Sequence, residues 1–137
     1  SAGGLTDYEK KAQVAAKALD EQNAIYVHLK GPDEFGHDGD AQGKMKNLED
    51  IDKRFFGTLL DNLDTSKVTV IISADHSTPC IKKGHSDDPV PLLISGDMIQ
   101  NDNSQRFTEN DAKTGKIGVI EGAQVVKTAI NLIKSQK

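Results

Sequence analysis

The spacing of apolar positions changes period along this chain, and each change marks an expected element. "TDYEKKAQVAAKALDEQ" is Ala-rich and places Thr6 and Glu9 at capping-box spacing, which predicts a helix over about 6–21. "AIYVHLK" is β-branched and aromatic and predicts a strand that Gly31-Pro32 stops, with a loop beyond it. From Gly43, the positions Met45, Leu48, Ile51, Phe55, Leu59 and Leu63 recur at steps of three and four, with Phe56 and Leu60 widening the stripe, so a second helix is expected. "VTVIIS" is almost wholly apolar, as a strand covered on both faces is. "ADHSTPCIKKGHSDD" has no period and reads as a loop, while "PVPLLIS" reads as a strand with its prolines at the start. After the polar stretch 100–118, Val125, Val126, Ala129, Ile130 and Ile133 describe a closing amphipathic helix.

This alternation predicts an α/β layered fold with a mainly parallel sheet flanked by helices. Ligands in such sheets sit beyond the carboxyl ends of the strands, which is where both polar loops fall. The 137 residues are read as a single domain, 1–137, with enough chain for a modest core.

Composition narrows the partners. A net charge of -4 argues against a nucleic-acid groove or an anionic membrane surface, and no apolar run is long enough to span a bilayer. One cysteine, Cys80, permits no internal disulfide and suits a reducing compartment, so a cytoplasmic location is expected. Of the seventeen basic residues only Arg54 and Arg106 are arginines, so a bidentate grip on phosphate would have to come from elsewhere.

The candidate chemistry lies in the two loops. "KGPDEFGHDGD" carries Asp33 and His37, and the later loop carries Asp75, His76 and His85, with Asp87 two residues after His85. Carboxylate oxygen and imidazole nitrogen form a mixed donor set suited to Zn²⁺ or Mn²⁺, and a cation would relieve the crowding of four carboxylates in 30–40. Asp, Gly, His and Ser are also common turn residues, so one loop alone carries little. Two such loops opening on one sheet edge carry more. His28 is read as a packed or hydrogen-bonded structural histidine, and Asp38, Asp40 and Asp88 as solvated charge or supports for the site. Cys80 lacks the local signature of a cysteine hydrolase, and a Ser-Thr-Pro turn accounts for Ser77.

"KGPDEFGHDGD", "ISADHSTPCIKKGHSDDPVPLLISG" and "RFTENDAKTGKIG" together resemble the metal-binding core of the archaeal-type, cofactor-independent phosphoglycerate mutases of the alkaline phosphatase superfamily. The resemblance runs from about Ala24 to Gly118. It implies an alkaline-phosphatase-like α/β fold and two divalent ions, Mn²⁺ or Zn²⁺, with Mg²⁺ or Co²⁺ as alternatives. It assigns Asp33, His37 and His85 to one ion, and Asp75 and His76 to the other. The implied reaction interconverts 3-phosphoglycerate and 2-phosphoglycerate through a phosphoserine, a step of glycolysis and gluconeogenesis.

The second ion is left two ligands short. The family's nucleophilic serine and a further aspartate ligand, both from a segment near the amino terminus of the full enzyme, and its arginine-bearing cap domain, match nothing in this chain. The expectation is therefore a carboxy-terminal part of a larger enzyme, with no catalytic nucleophile of its own and inactive alone. Exposed strand edges leave self-association open. The alternatives are another phosphatase, phosphomutase or sulfatase of the superfamily, or a metal-binding module without catalysis.

Overall fold

A computed structural model describes residues 7–97 and 99–134. The chain divides into two compact units, Ser1–Asp64 with Thr78–Ser86, and Thr65–Ser77 with Asp87–Lys137.

The first unit is helical. Helix α1 (Tyr8–Ala18) buries Tyr8, Ala12 and Ala15 at i, i+4 and i+7, and its small alanines let a partner helix approach closely. Thr6, half of the expected capping box, lies outside the described residues. The partner is a long helical run of three parts: α3 (Ala41–Asp50), a π-helical stretch Ile51–Phe56, and α4 (Gly57–Asp61). Tyr8, Ala12, Ala15, Ile51, Phe55 and Leu59 form the core, and Ile25, Val27 and Leu29 pack on it.

The expected stripe holds only in part. Ile51, Phe55 and Leu59 are buried, whereas Met45 and Leu48 are 58% and 49% exposed. A π stretch spends more residues per turn than an α-helix, so it rotates the preceding stripe away from the face that follows. Asn47 turns inward instead, and its Nδ2 donates to the Tyr8 hydroxyl at 2.7 Å.

Two expectations at the start of the site need correction. Residues 24–30 keep the period of a strand, with Ile25, Val27 and Leu29 half-buried and Tyr26, His28 and Lys30 exposed, but they join no ladder among the described residues. His28 is therefore exposed beside the Tyr26 ring at 6.4 Å, rather than packed. The expected loop after Pro32 is helix α2 (Gly31–Asp38). Proline in its first turn costs no hydrogen bond, Asp33 and Glu34 suit the positive end of the helix dipole, and Gly39 at φ 75° ends it in the left-handed conformation. Asp40, expected to be solvated or to support the site, caps α3 by accepting from the Gly43 N–H at 2.9 Å.

The second unit holds β1 (Val70–Ile72) and β2 (Leu93–Ser95). They pair antiparallel, Val70 opposite Ser95 and Ile72 opposite Leu93, so the pairing among the described residues is not the mainly parallel one expected. A parallel pair needs a crossover, usually helical, and the segment joining these strands contains no helix. Ile71 is 40% exposed, so β1 is not covered on both faces. Gly96 sits where a Cβ would stand 3.2 Å from the Val68 carbonyl oxygen, which explains glycine after β2. The polar stretch contains the short helix α5 (Glu109–Ala112). Asp102 ties this stretch together by accepting from the backbone of Ser104 and Lys116, bonds that hold its carboxyl below the usual range. The closing helix is α6 (Val125–Lys134), with Ala129 buried and Val126 and Ile130 exposed.

Candidate metal centre

Helix α2 sets the first two donors. Asp33 and His37 are four residues apart on it and so share a face, with the Asp33 Oδ1 3.4 Å from the His37 Nε2. The third donor arrives on the turn that follows Thr78. The Pro79 carbonyl accepts from the backbone N–H of both Lys82 and Lys83, Lys83 adopts φ 51°, and the chain reverses. This turn packs over the carboxyl end of α2, where a Cβ on Gly39 would stand 3.2 Å from the Cys80 carbonyl oxygen. His85 thereby reaches α2, with its Nε2 3.1 Å from the His37 Nε2 and 3.6 Å from the Asp33 Oδ1.

Three ligand atoms thus form a triangle with edges of 3.1, 3.4 and 3.6 Å. A tetrahedral ion with bonds of about 2.0–2.1 Å spaces its ligands by about 3.4 Å. One proton between the two imidazoles would satisfy the shortest edge only; a cation at the centre satisfies all three. The donor set, two imidazole nitrogens and one carboxylate oxygen, is one that divalent zinc favours. His37 and His85 side chains are 45% and 55% exposed, which leaves outer coordination positions open to water or another ligand. Among the described residues, Asp33, His37 and His85 are the one group of three or more such donors whose atoms converge.

Asp75 and His76 belong to the second unit. They pair with each other, Oδ2 to Nε2 at 3.6 Å. One contact at the triangle was not legible in the sequence: the buried Thr78 hydroxyl donates to the Asp33 Oδ1 at 2.7 Å. A threonine beside a proline reads as a turn residue, and nothing in its spacing marks it as a partner of residue 33.

Both arginines are engaged by carboxylates. Arg54 meets Glu9 through Nε at 2.6 Å and Nη2 at 2.9 Å and lies over the Tyr8 ring. Arg106 lies 3.7 Å from Asp111.

The profile of the Metalloenzyme superfamily matches residues 3–132. A protein of Aeropyrum pernix named 2,3-bisphosphoglycerate-independent phosphoglycerate mutase is 41% identical over 129 residues, 92% of this chain and 30% of its own length. A protein of the same name from Pyrococcus abyssi is 37% identical over 96% of this chain and 32% of its own length. A solved protein structure from Pyrococcus horikoshii superposes with a TM-score of 0.88 at 36% identity, covering 95% of this chain and 39% of that one. The chain thus spans about a third of the length of the curated relatives it matches. Among the described residues no helix is long and apolar enough to cross a membrane. With its converging Asp-His-His donors and its mixed α/β fold of the alkaline-phosphatase type, the chain belongs to the Metalloenzyme superfamily.

Proposed function

We propose that this chain is the metal-holding part of a cofactor-independent phosphoglycerate mutase, one phosphatase-like domain of which continues beyond it. The observation that carries the proposal is the triangle of Asp33, His37 and His85, met in a chain whose relatives bear that enzyme's name. In this reading the three side chains hold one divalent ion, and Asp75 and His76 contribute to a second whose remaining ligands lie in another part of the protein. The triangle's edges suit a four-coordinate ion such as Zn²⁺ better than Mg²⁺, whose octahedral bonds of 2.0–2.1 Å space neighbouring ligands by about 2.9 Å.

Bound divalent ions supply charge neutralisation on a phosphoryl group and acidify a nucleophilic hydroxyl. The chain's own residues fix where that charge sits. Asp33 contributes the anionic donor, and the two imidazoles contribute neutral ones, so the centre keeps net positive charge for an anionic phosphoglycerate. Arg54 is held bidentately by Glu9, so in this reading the grip on the substrate comes largely from residues outside this chain. A glycolytic step also suits a cytoplasmic location.

Two assays test the reading. The intact gene product with Mn²⁺ or Zn²⁺ should interconvert 3-phosphoglycerate and 2-phosphoglycerate, and the 137-residue chain alone should not. Absence of turnover in the intact, metal-loaded protein, or turnover by the 137-residue chain at the intact protein's rate, overturns the reading.

A further inference from the structure

Thr78 is only 4% exposed, and both its main chain and its side chain are held. The Lys44 Nζ donates to its carbonyl oxygen at 2.8 Å. Gly36 of α2 lies so close that a Cβ there would stand 2.5 Å from that oxygen and 2.8 Å from the Thr78 Cγ2. The methyl is therefore packed against a helix backbone and the hydroxyl is left facing Asp33. A carboxylate only accepts, so the 2.7 Å contact is an O–H donated to the Asp33 Oδ1. That oxygen is the same one that faces both histidine Nε2 atoms.

We infer that Thr78 is the positioning residue of the divalent-cation centre: its hydroxyl fixes the rotation of the Asp33 carboxylate so that Oδ1 stands at the third corner of the triangle. The inference rests on the reading of Asp33, His37 and His85 as ligands of one cation. The Asp33 side chain is 32% exposed, and loss of this bond removes one restraint on a carboxylate that must be ordered when an ion binds. Oδ1 has lone pairs for both the hydroxyl and an ion, so the bond orients the ligand without occupying the position it offers. Groups of this kind, hydrogen-bonded to a ligand, typically change metal affinity by about 10–100-fold when removed.

Calorimetric titration of Zn²⁺ into the wild-type protein and the variants Thr78→Ser, Thr78→Ala, Thr78→Val and Asp33→Ala tests this, with melting followed in EDTA to compare the metal-free folds. Ser and Ala both lack the packed methyl and differ only in the hydroxyl. Thr78→Ser should bind within about threefold of wild type, and Thr78→Ala and Thr78→Val about 10–100-fold more weakly. The metal-free Ala variant should melt below the Ser variant, by the loss of one hydrogen bond to a carboxylate, yet both should be folded at the titration temperature. Should Thr78→Val fail to fold, the Ser and Ala pair carries the comparison. Equal affinities for Thr78→Ser and Thr78→Ala, at any level, overturn the positioning role while a loss in Asp33→Ala still upholds the cation centre. A wild-type protein that binds no Zn²⁺, or binds it equally after Asp33→Ala, overturns the centre and this inference together.

Discussion

Glu9 and Arg54 close two hydrogen bonds across the first unit, and their effect on stability follows from the direction in which each group is pushed. The Arg54 side-chain hydrogen bond holds the Glu9 carboxyl below the usual carboxylate range, and the same bond raises the guanidinium. A carboxyl lowered by folding contributes stability above its unfolded pKa and loses that contribution as pH falls through its folded pKa. Glu9→Gln should therefore lower the urea midpoint at neutral pH and leave it near wild type at pH about 2. Parallel curves at both pH values would show that the pair is not coupled to folding. Glu9 was visible in the sequence as a first-turn acid, but its partner 45 residues away was not. The candidate donors were legible for a different reason: Asp and His crowded into two polar stretches limit the chemistry, and the family resemblance, not the helix, grouped Asp33 and His37 with His85. His28 was misread because an extended segment points alternate residues outward, and the phase of that alternation depends on the core.

Helix α2 shows what an element can hide in sequence. Pro32, Asp33, Glu34 and Gly39 are together a helix start and stop, yet the acidic, glycine-rich composition of the stretch resembles a loop. The antiparallel pairing of β1 with β2 was likewise hidden, because pattern gives a strand's faces and not its direction. The second helix was legible as an element, but its π stretch was not, since hydrogen-bond slippage leaves no residue signature. Glycine substitutions test the described packing. Gly36→Ala drives a Cβ against the Thr78 carbonyl and should cost about 1–3 kcal/mol in chemical denaturation, with weaker Zn²⁺ binding as the turn bearing His85 is displaced. Gly57→Ala, where a Cβ meets nothing within 4 Å, should instead stabilise by about 0.5–1 kcal/mol. In the core, Phe55→Ala should cost about 3–5 kcal/mol, because Phe55 is 3% exposed and packs where α1 meets the π stretch. A reversed order among these three variants would contradict the packing.

At the scale of the whole molecule, folding brings donor atoms of Asp33, His37 and the sequence-distant His85 within 3.6 Å of one another. Binding to the folded state alone stabilises it, by about 2.7 kcal/mol when free Zn²⁺ is a hundredfold above the dissociation constant. The wild-type melting temperature should rise with Zn²⁺ and fall back with EDTA, and Asp33→Ala, His37→Ala and His85→Ala should each abolish that rise. The most direct measurement is diffraction at the zinc absorption edge from crystals grown with Zn²⁺. An anomalous peak is expected about 2.0–2.2 Å from the Asp33 Oδ1 and from the Nε2 atoms of His37 and His85. Anomalous density elsewhere, with these three side chains turned apart, would contradict it.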